Sequence, residues 1–283
     1  MKILKFPWEA GGGAKSIGSS YGPDAIETQF NKYPWRCSES GVPARDVQFL
    51  DVKAVQSSSM HRAFGVGVQA ILNHESSLAV LSGDNSCSFY TVMNVAKRFP
   101  DPQLVVLDAH LDACDTKHDA HASWVRRLWE NDIVRPEKTI FFGIRDAEAE
   151  ELSYAKEKGA IIYLCRNLFI NADMARIVLG LETTMRVDTS SALILVVDID
   201  VVDPSQAPAT GVLRAPGLDL RQVLSIIRAF GELHFPVKVG EICEVIPEEG
   251  NMMRPPCDKR PDPTGLTVLA TEAILREMIC SFA

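Results

Sequence analysis

Residues Leu104 to Asp112 read Leu-Val-Val-Leu-Asp-Ala-His-Leu-Asp, so four apolar residues run directly into three polar side chains of the kind that bind metals. The stretch from Leu193 to Asp200, Leu-Ile-Leu-Val-Val-Asp-Ile-Asp, repeats this arrangement. Continuous apolar runs of this length are typical of strands buried on both faces of a sheet. Extended backbone turns residues i, i+2 and i+4 to one side, so we expect Asp108, His110 and Asp112 to converge.

The two aspartates at the end of the second stretch, Asp198 and Asp200, are expected to converge in the same way. Four carboxylates and an imidazole in one place would repel each other and take up protons unless cations held them. Oxygen-rich sites with one or two imidazoles suit manganese or a similar divalent ion. A lone aspartate after a strand is usually a turn former or helix cap. Two acidic clusters, both after apolar strands, favour a two-metal site instead.

Composition excludes several classes of function. With 283 residues, 46% hydrophobic and 23% charged, the chain is long enough for one large core, and we expect a single domain over residues 1–283. A net charge of −8 without a basic tract argues against nucleic acid as a partner. We expect neither a signal peptide nor a membrane-spanning helix, because no apolar run is long enough for either. Seven cysteines without CxxC spacing are typical of reduced thiols, so we expect a cytoplasmic protein.

Strand-length apolar runs alternate with helix-like patterns along the chain. We predict strands at 47–50, 78–81, 104–107, 140–144, 161–164, 193–197 and 237–239, with a possible eighth at 3–6. Helices are predicted at 88–99, 147–158, 221–230 and 267–282. This alternation indicates a parallel sheet covered by helices on both faces. Periodicity does not separate an open sheet from a closed TIM barrel, but both gather their sites at the carboxyl ends of the strands.

Four motifs in order along the chain resemble those of the ureohydrolase family, which includes arginase and agmatinase. The resembling stretches are Leu-Ser-Gly-Asp-Asn-Ser at 81–86 (family GGDHS), Leu-Asp-Ala-His-Leu-Asp at 107–112 (DAHxD), 197–204 continuing to Pro-Ala-Thr-Gly at 208–211 (SxDxDxxDP and PxTG), and Glu244 within 242–247. Residues 18–26 also resemble the family's early GPxAIR segment. The resemblance implies an arginase-like, three-layer α/β fold with a central eight-stranded parallel sheet.

Metal and catalytic roles follow from the resemblance by position. Asp108 and Asp198 resemble the carboxylates that bridge two Mn²⁺ ions, Asp112 belongs to the first ion, and His110 and Asp200 belong to the second. The family's two ions share a bridging water, which becomes the hydroxide that attacks the guanidino carbon. Asp200 would also orient this nucleophile.

Asn85 departs from the family pattern, which has a histidine ligand of the first metal at this position. An asparagine carbonyl oxygen still suits manganese, but we expect a weaker bond. Three outcomes are open: two metals with a loosened first ion, a single metal, or a non-catalytic relative. We favour the first, because the four aspartates and His110 are all present.

Three further residues are assigned to proton transfer and substrate binding. His121 resembles the family's mobile histidine that passes protons to the leaving amine, with His118 as a competitor and a solvated loop histidine as the plain alternative. Glu244 would accept hydrogen bonds from the substrate guanidinium. Thr210, in the Pro-x-Thr-Gly match, is a further substrate-binding residue.

Asp146 and Glu148 bear on the substrate. They fall where arginases place an acid directly after an arginine and a second acid that contacts the substrate's α-ammonium. The alternative is that they are merely the charged first turn of the following helix. The match favours an arginine-type amino acid, and the loop 113–120 is the expected carboxylate-binding stretch.

The substitution at position 85 favours a hydroxylated guanidino group, which is a weaker base and depends less on a fully ligated metal pair. We therefore predict hydrolysis of Nω-hydroxy-L-arginine to hydroxyurea and L-ornithine. Ordinary arginase activity on L-arginine is the second reading, agmatinase or another guanidino-acid hydrolase the third, and a metal-free regulatory relative the fourth. The expected partner is a small guanidino substrate, without nucleic acid or membrane, and the sequence permits an oligomer.

Overall fold

The protein is built on one sheet of eight parallel strands, seen in a computed structural model that describes residues 1–9, 11–39, 41, 43–44, 46–52, 60–115, 121–170, 191–259 and 261–282. The strands are β1 (Lys2–Phe6), β2 (Gln48–Asp51), β3 (Leu78–Ser82), β4 (Gln103–Leu107), β5 (Thr139–Ile144), β6 (Ile161–Leu164), β7 (Leu193–Asp198) and β8 (Val237–Cys243). Their order is β2-β1-β3-β8-β7-β4-β5-β6. Because β2 and β6 lie at opposite edges, the sheet is open and the barrel alternative is excluded.

All eight predicted strands are confirmed, with one clear difference in length. The apolar run predicts β8 only to residue 239, whereas the strand continues to Cys243. Gly240 and Glu241 interrupt the apolar pattern there, yet Glu241 is fully buried inside the sheet. Because this residue is polar and yet buried, the apolar pattern did not indicate the second half of the strand.

Helices cover both faces of the sheet. In the described part of the chain they are α1 (Gly22–Lys32), α2 (Met60–Leu72), α3 (Ser86–Arg98), α4 (Trp124–Glu130), α5 (Ala149–Glu157), α6 (Cys165–Ile170), α7 (Leu220–Glu232), α8 (Glu248–Met252) and α9 (Leu266–Phe282). The predicted helices correspond to α3, α5, α7 and α9. No helix among the described residues combines the length and apolar character that a membrane crossing requires.

The alternation of side chains along the strands divides the core into two layers. On β4, Leu104 and Val106 pack with buried residues of α2, α3 and α4, whereas Val105 and Leu107 pack with those of α1, α7 and α9. All four side chains are completely buried. A strand that is apolar on both faces fits only between two helical layers, so the three-layer arrangement follows directly from this sequence pattern.

Candidate metal centre and substrate pocket

Four adjacent central strands, β3, β8, β7 and β4, bring their carboxyl ends to one place. Asn85 follows β3, Glu244 follows β8, Asp198 ends β7 and Asp108 follows β4. A crevice at the carboxyl ends of parallel strands is the usual position of a site in an open α/β fold. The topology thus gathers residues that are far apart in sequence.

The local backbone differs from the extended conformation that we expected after β4 and β7. Asp112 lies in the left-handed region with a φ of 50°, and Asp200 belongs to a short 3-10 helix, Ile199–Val201. Two hydrogen bonds of Asp200, one to the segment after β4 and one within its own segment, explain why the carboxylates still converge. The backbone NH of Ala109 donates to Asp200 Oδ1 at 3.0 Å, and that of Asp200 donates to Asp198 Oδ1 at 2.8 Å. Strand alternation was therefore the wrong reason for the predicted cluster.

Asp108, His110 and Asp200 offer ligand atoms that all lie within 4.8 Å of one another. His110 Nδ1 lies 3.0 Å from Asp200 Oδ2 and 3.4 Å from Asp108 Oδ1. Both aspartates are buried, and the imidazole is partly exposed. These are three of the four residues that the family resemblance assigns to the second metal; the fourth is Asp198.

Asn85 joins the remaining acidic side chains. Its Nδ2 donates to Asp198 at 2.7 Å and to Asp112 at 3.0 Å, and it lies 3.4 Å from Asp108. Its Oδ1 accepts from the thiol of Cys243 at 2.7 Å. The amide nitrogen thus faces the carboxylates, so a metal bond through oxygen requires a half-turn of the amide.

The electrostatics of this cluster disfavour the ionised forms of Asp108, Asp112 and Asp198 without a cation. Burial, reinforced by Asp200, raises the pKa of Asp108 to about 7. Burial also raises the pKa values of Asp112 and Asp198 well above the usual range, and neighbouring carboxylates add to this effect. Burial alone would lower the pKa of His110, but the charges of Asp200 and Asp108 raise it above its usual range.

This donor set fits a hard divalent cation. Buried carboxylate oxygens with one imidazole suit manganese, and a dication would offset the burial and the mutual repulsion that raise the pKa values of these aspartates. Trp124 Nε1 donates to Asp112 Oδ2 at 2.8 Å, which holds that carboxylate in place. Outer hydrogen bonds of this kind are typical of metal sites.

Glu244 is fixed beside the cluster. Its oxygens accept from Ser16 Oγ at 2.9 and 3.1 Å and from the backbone NH of Asn85 at 3.0 Å. Burial, with a contribution from Asp84, raises its pKa to about 8. Glu244 is 5% exposed, so it is a buried residue and not a surface glutamate at a strand end.

Glycine makes the approach of the β3 loop possible. A Cβ on Gly83 would lie 1.9 Å from the carbonyl oxygen of Trp8. No other residue permits this contact without displacing the backbone, and the same loop carries Asn85 into the site.

His121 also reaches the site, at the start of a 3-10 helix, His121–Ser123. Its backbone NH donates to the carbonyl of Gly11 at 3.1 Å, and its Nδ1 lies 3.2 Å from the same oxygen. His118 and most of the predicted carboxylate-binding loop lie outside the described residues, so His121 is the candidate that the structure can describe.

A cavity of about 320 Å³ opens over the cluster, and the predicted substrate residues Asp146, Glu148 and Thr210 all line it. Thr210 is 1% exposed, and its Oγ1 has no hydrogen-bond partner in the described part of the chain. Asp146 is paired with Arg214 and lies 3.5 Å from His110 Nε2. Glu148 is the N-cap residue of α5, but its side chain makes no capping hydrogen bond.

Several residues of the site were missed in the sequence. Ser16 and Arg214 contact predicted site residues, yet neither belongs to a recognisable motif. Cys243 lies in the motif around Glu244, but no role was assigned to it. Glu151 accepts from the backbone NH of Ala113 at 2.7 Å and lines the cavity. The signal available for Glu151 was its place in the same acidic run as Glu148.

The family model described as the arginase family matches residues 1–280, and the chain belongs to that family. Among curated relatives, the agmatinase of Bacillus anthracis is 29% identical over 170 residues, which are 59% of this chain and 54% of that protein. The guanidinobutyrase of Pseudomonas aeruginosa is 25% identical over 277 residues, covering 93% of this chain and 80% of that one. The chain thus spans little more than half of the first of these relatives.

Solved structures share the fold. Proclavaminate amidino hydrolase from Streptomyces clavuligerus superposes with a TM-score of 0.82 at 20% identity, covering 99% of this chain and 91% of that chain. Arginase from Bacillus subtilis gives a TM-score of 0.79 at 19% identity, covering 98% and 97%. The predicted arginase-like fold is confirmed by this similarity.

Proposed function

We propose that the protein is a manganese-dependent amidinohydrolase that converts Nω-hydroxy-L-arginine to hydroxyurea and L-ornithine. The observation that carries the proposal is the Asp108–His110–Asp200 cluster beneath a cavity at the carboxyl ends of the central strands. With asparagine at position 85, this site resembles the Nω-hydroxy-L-arginine hydrolase of D-cycloserine biosynthesis. A place in antibiotic biosynthesis is therefore part of the proposal.

Two manganese ions are the proposed cofactor. The residues proposed to hold them are Asn85, Asp108, His110, Asp112, Asp198 and Asp200. When bound, such ions supply Lewis acidity and activate water for attack near neutral pH. Asn85 would hold its ion through Oδ1 after the half-turn of its amide, which leaves Nδ2 against Cys243 and the hydroxyl of Ser88.

The chain's own residues orient the substrate. Glu244, held by Ser16 and the Asn85 backbone, presents a carboxylate to the guanidino group. Thr210 offers a buried hydroxyl without a protein partner among the described residues, as expected of a group that bonds a substrate. His121 lies on the cavity wall, where it would donate a proton to the departing amine.

A hydroxylated guanidino group suits this site for a chemical reason. Its lower basicity allows more of it to enter as the neutral form, which needs less activation by the metals. Asn85 provides a weaker ligand than the family's histidine. The resulting loss of catalytic efficiency should be larger for unmodified L-arginine than for the hydroxylated substrate. Hydrolysis of L-arginine is the second candidate, favoured by the other five ligand residues. Relatives named agmatinase and guanidinobutyrase support the third reading, a shorter or decarboxylated substrate.

Replacement of Asp198 by alanine tests the metal assignment. We expect wild type to retain about two manganese ions per chain. Asp198→Ala should lose them, together with detectable ornithine release, because one of the carboxylates proposed to hold the ions is removed. Metal analysis after gel filtration and an ornithine assay are the measurements.

Asp101→Ala is the matched control, since Asp101 is a surface carboxylate paired with Arg135. It should keep both metal and activity. Full activity of Asp198→Ala would overturn the metal assignment. Wild type that takes up no manganese would favour the metal-free regulatory relative.

A further inference from the structure

The cavity is acidic at its base and carries cationic groups as well. Its base contains Asp198, Asp200 and Glu244, all nearly inaccessible to solvent. One lysine, Lys15, and one arginine, Arg214, are among the described residues that line the cavity. The side chain of Arg214 is 59% exposed, so it lies at the mouth. A ligand with a cationic or polar end and an anionic end would match this layout.

Arg214 is held at a fixed place relative to the metal cluster. Its carbonyl accepts from Arg145 Nε at 2.9 Å. The guanidinium of Arg145 also donates to the carbonyls of Asp200 and of Val201, the latter at 3.3 Å. Arg145 therefore ties the backbone of Arg214 directly to the segment that carries a cluster aspartate.

The side chain of Arg214 is oriented by a single contact. Its Nε donates to Asp146 Oδ2, the oxygen that lies 3.5 Å from His110 Nε2. Nη1 and Nη2 of Arg214 have no hydrogen-bond partner within the described ranges of the chain. A guanidinium with two open donors in one plane matches a carboxylate in a bidentate arrangement.

We infer that Arg214 binds the α-carboxylate of an amino-acid substrate and is a specificity-determining residue of this site. The inference rests on the proposed function and deepens it. Asp146 is occupied with Arg214, so it positions the arginine instead of meeting the substrate's ammonium. Glu148, whose side chain makes no cap bond, is then the acid for that ammonium. Carboxylate and ammonium are recognised together, and a decarboxylated substrate loses one of the two contacts.

The test compares L-arginine with agmatine, which lacks only the carboxylate, in wild type and Arg214→Gln. We expect kcat/KM for L-arginine to fall about 10- to 100-fold, mainly through KM, because one charged hydrogen-bonded contact is lost. The value for agmatine should stay within about threefold, since agmatine makes no such contact. The same comparison with Nω-hydroxy-L-arginine should repeat the L-arginine result.

Arg135→Gln is the matched control, because Arg135 is a similarly exposed arginine with its Nε on Asp101 at 2.8 Å, away from the cavity. Arg135→Gln should leave kcat/KM unchanged for both substrates. Arg214→Lys keeps the charge but not the planar fork, so it should recover part of the loss and serves if the glutamine variant does not fold.

Binding of the amine products, L-ornithine from L-arginine and putrescine from agmatine, to the manganese-loaded protein gives a readout without turnover. Arg214→Gln should weaken L-ornithine binding and leave putrescine binding unchanged. If wild type hydrolyses no guanidino compound, the proposed function fails, and the ornithine comparison still decides the role of Arg214. An equal loss for L-arginine and agmatine, or unchanged L-ornithine binding, would overturn the inference.

Discussion

Asn85 shows how one residue can be both predictable and unexpected. Its departure from the family's histidine is visible in the sequence, and we predicted an oxygen ligand there. The structure places its nitrogen toward Asp198 and Asp112 and its oxygen toward Cys243. The hydrogen bonds from the Asn85 nitrogen reduce the repulsion between these carboxylates. A bound cation would reduce the same repulsion through its charge. Metal binding at this position therefore competes with an existing set of contacts, which is a physical reason to expect a weakened first ion.

Glu241 gives a prediction about the pH dependence of stability. Burial raises its pKa to about 7, although hydroxyl donors such as Ser82 oppose the shift. Between its usual pKa of 4.5 and about 7, the native state holds a proton that the unfolded chain releases. Stability from this group is therefore present at low pH and lost as the pH rises through that window, by about 3 kcal/mol.

The Glu241→Gln variant has no ionisable group at this position, so it should not show this loss of stability as the pH rises. Chemical denaturation of both proteins with a chelator present, at pH 5 and pH 8, measures the difference. The free energy of unfolding of wild type should fall by about 2 to 3 kcal/mol more than that of the variant over this interval. Parallel pH dependences in the two proteins would show that Glu241 is ionised at both pH values.

Much of the site could be predicted at this scale, and the rest could not for a clear reason. Asp108, His110 and Asp200 follow apolar strands, so their position was visible in the sequence. Ser16 and Arg214 lie on loops, where no periodicity marks a residue that will contact the site. Their roles depend on which strand ends become neighbours, and that is a property of the whole sheet.

Elements were predictable where the apolar pattern was uniform. Strands such as β4 are apolar throughout, and their limits agree closely with the prediction. The second half of β8 was missed because Glu241 is polar and yet buried. Helices α1, α2, α4, α6 and α8 were not predicted. The first of them begins with a Gly-Pro pair, which usually marks a turn but here supplies the first turn of a helix.

The start of α7 carries a prediction of its own. Asp219 accepts from the backbone NH of Gln222 at 2.9 Å, and Gln222 Oε1 accepts from the NH of Asp219 at 2.9 Å, which forms a capping box. Asp219→Ala should lower the free energy of unfolding by about 1 kcal/mol, because the first turn loses a side-chain acceptor.

Denaturant titration of wild type, Asp219→Ala and Asp219→Ser measures this cap. Serine also caps helices well, so Asp219→Ser should recover most of the loss. Equal stability of the alanine variant and wild type would mean that water replaces the cap at no cost.

At the scale of the whole molecule, the layers were predictable but the strand order was not. Apolar strands alternating with helices require a covered parallel sheet, and the structure has one. The order β3-β8-β7-β4 brings β3 and β8 together although more than 150 residues separate them, and periodicity contains no information on such pairing. Family resemblance supplied what the local pattern lacked, which is why the open sheet and the joint site could be expected.

The central claim is that this arginase-family fold, with Asn85 in its cluster, prefers a hydroxylated guanidino substrate. The most direct measurement is kcat/KM for Nω-hydroxy-L-arginine and L-arginine, in wild type and Asn85→His, at one pH with saturating manganese. Wild type should prefer the hydroxylated substrate. Asn85→His should shift the ratio of the two kcat/KM values toward L-arginine, because an imidazole binds the first metal more tightly. A wild type that prefers L-arginine would contradict the claim and make the protein an ordinary arginase.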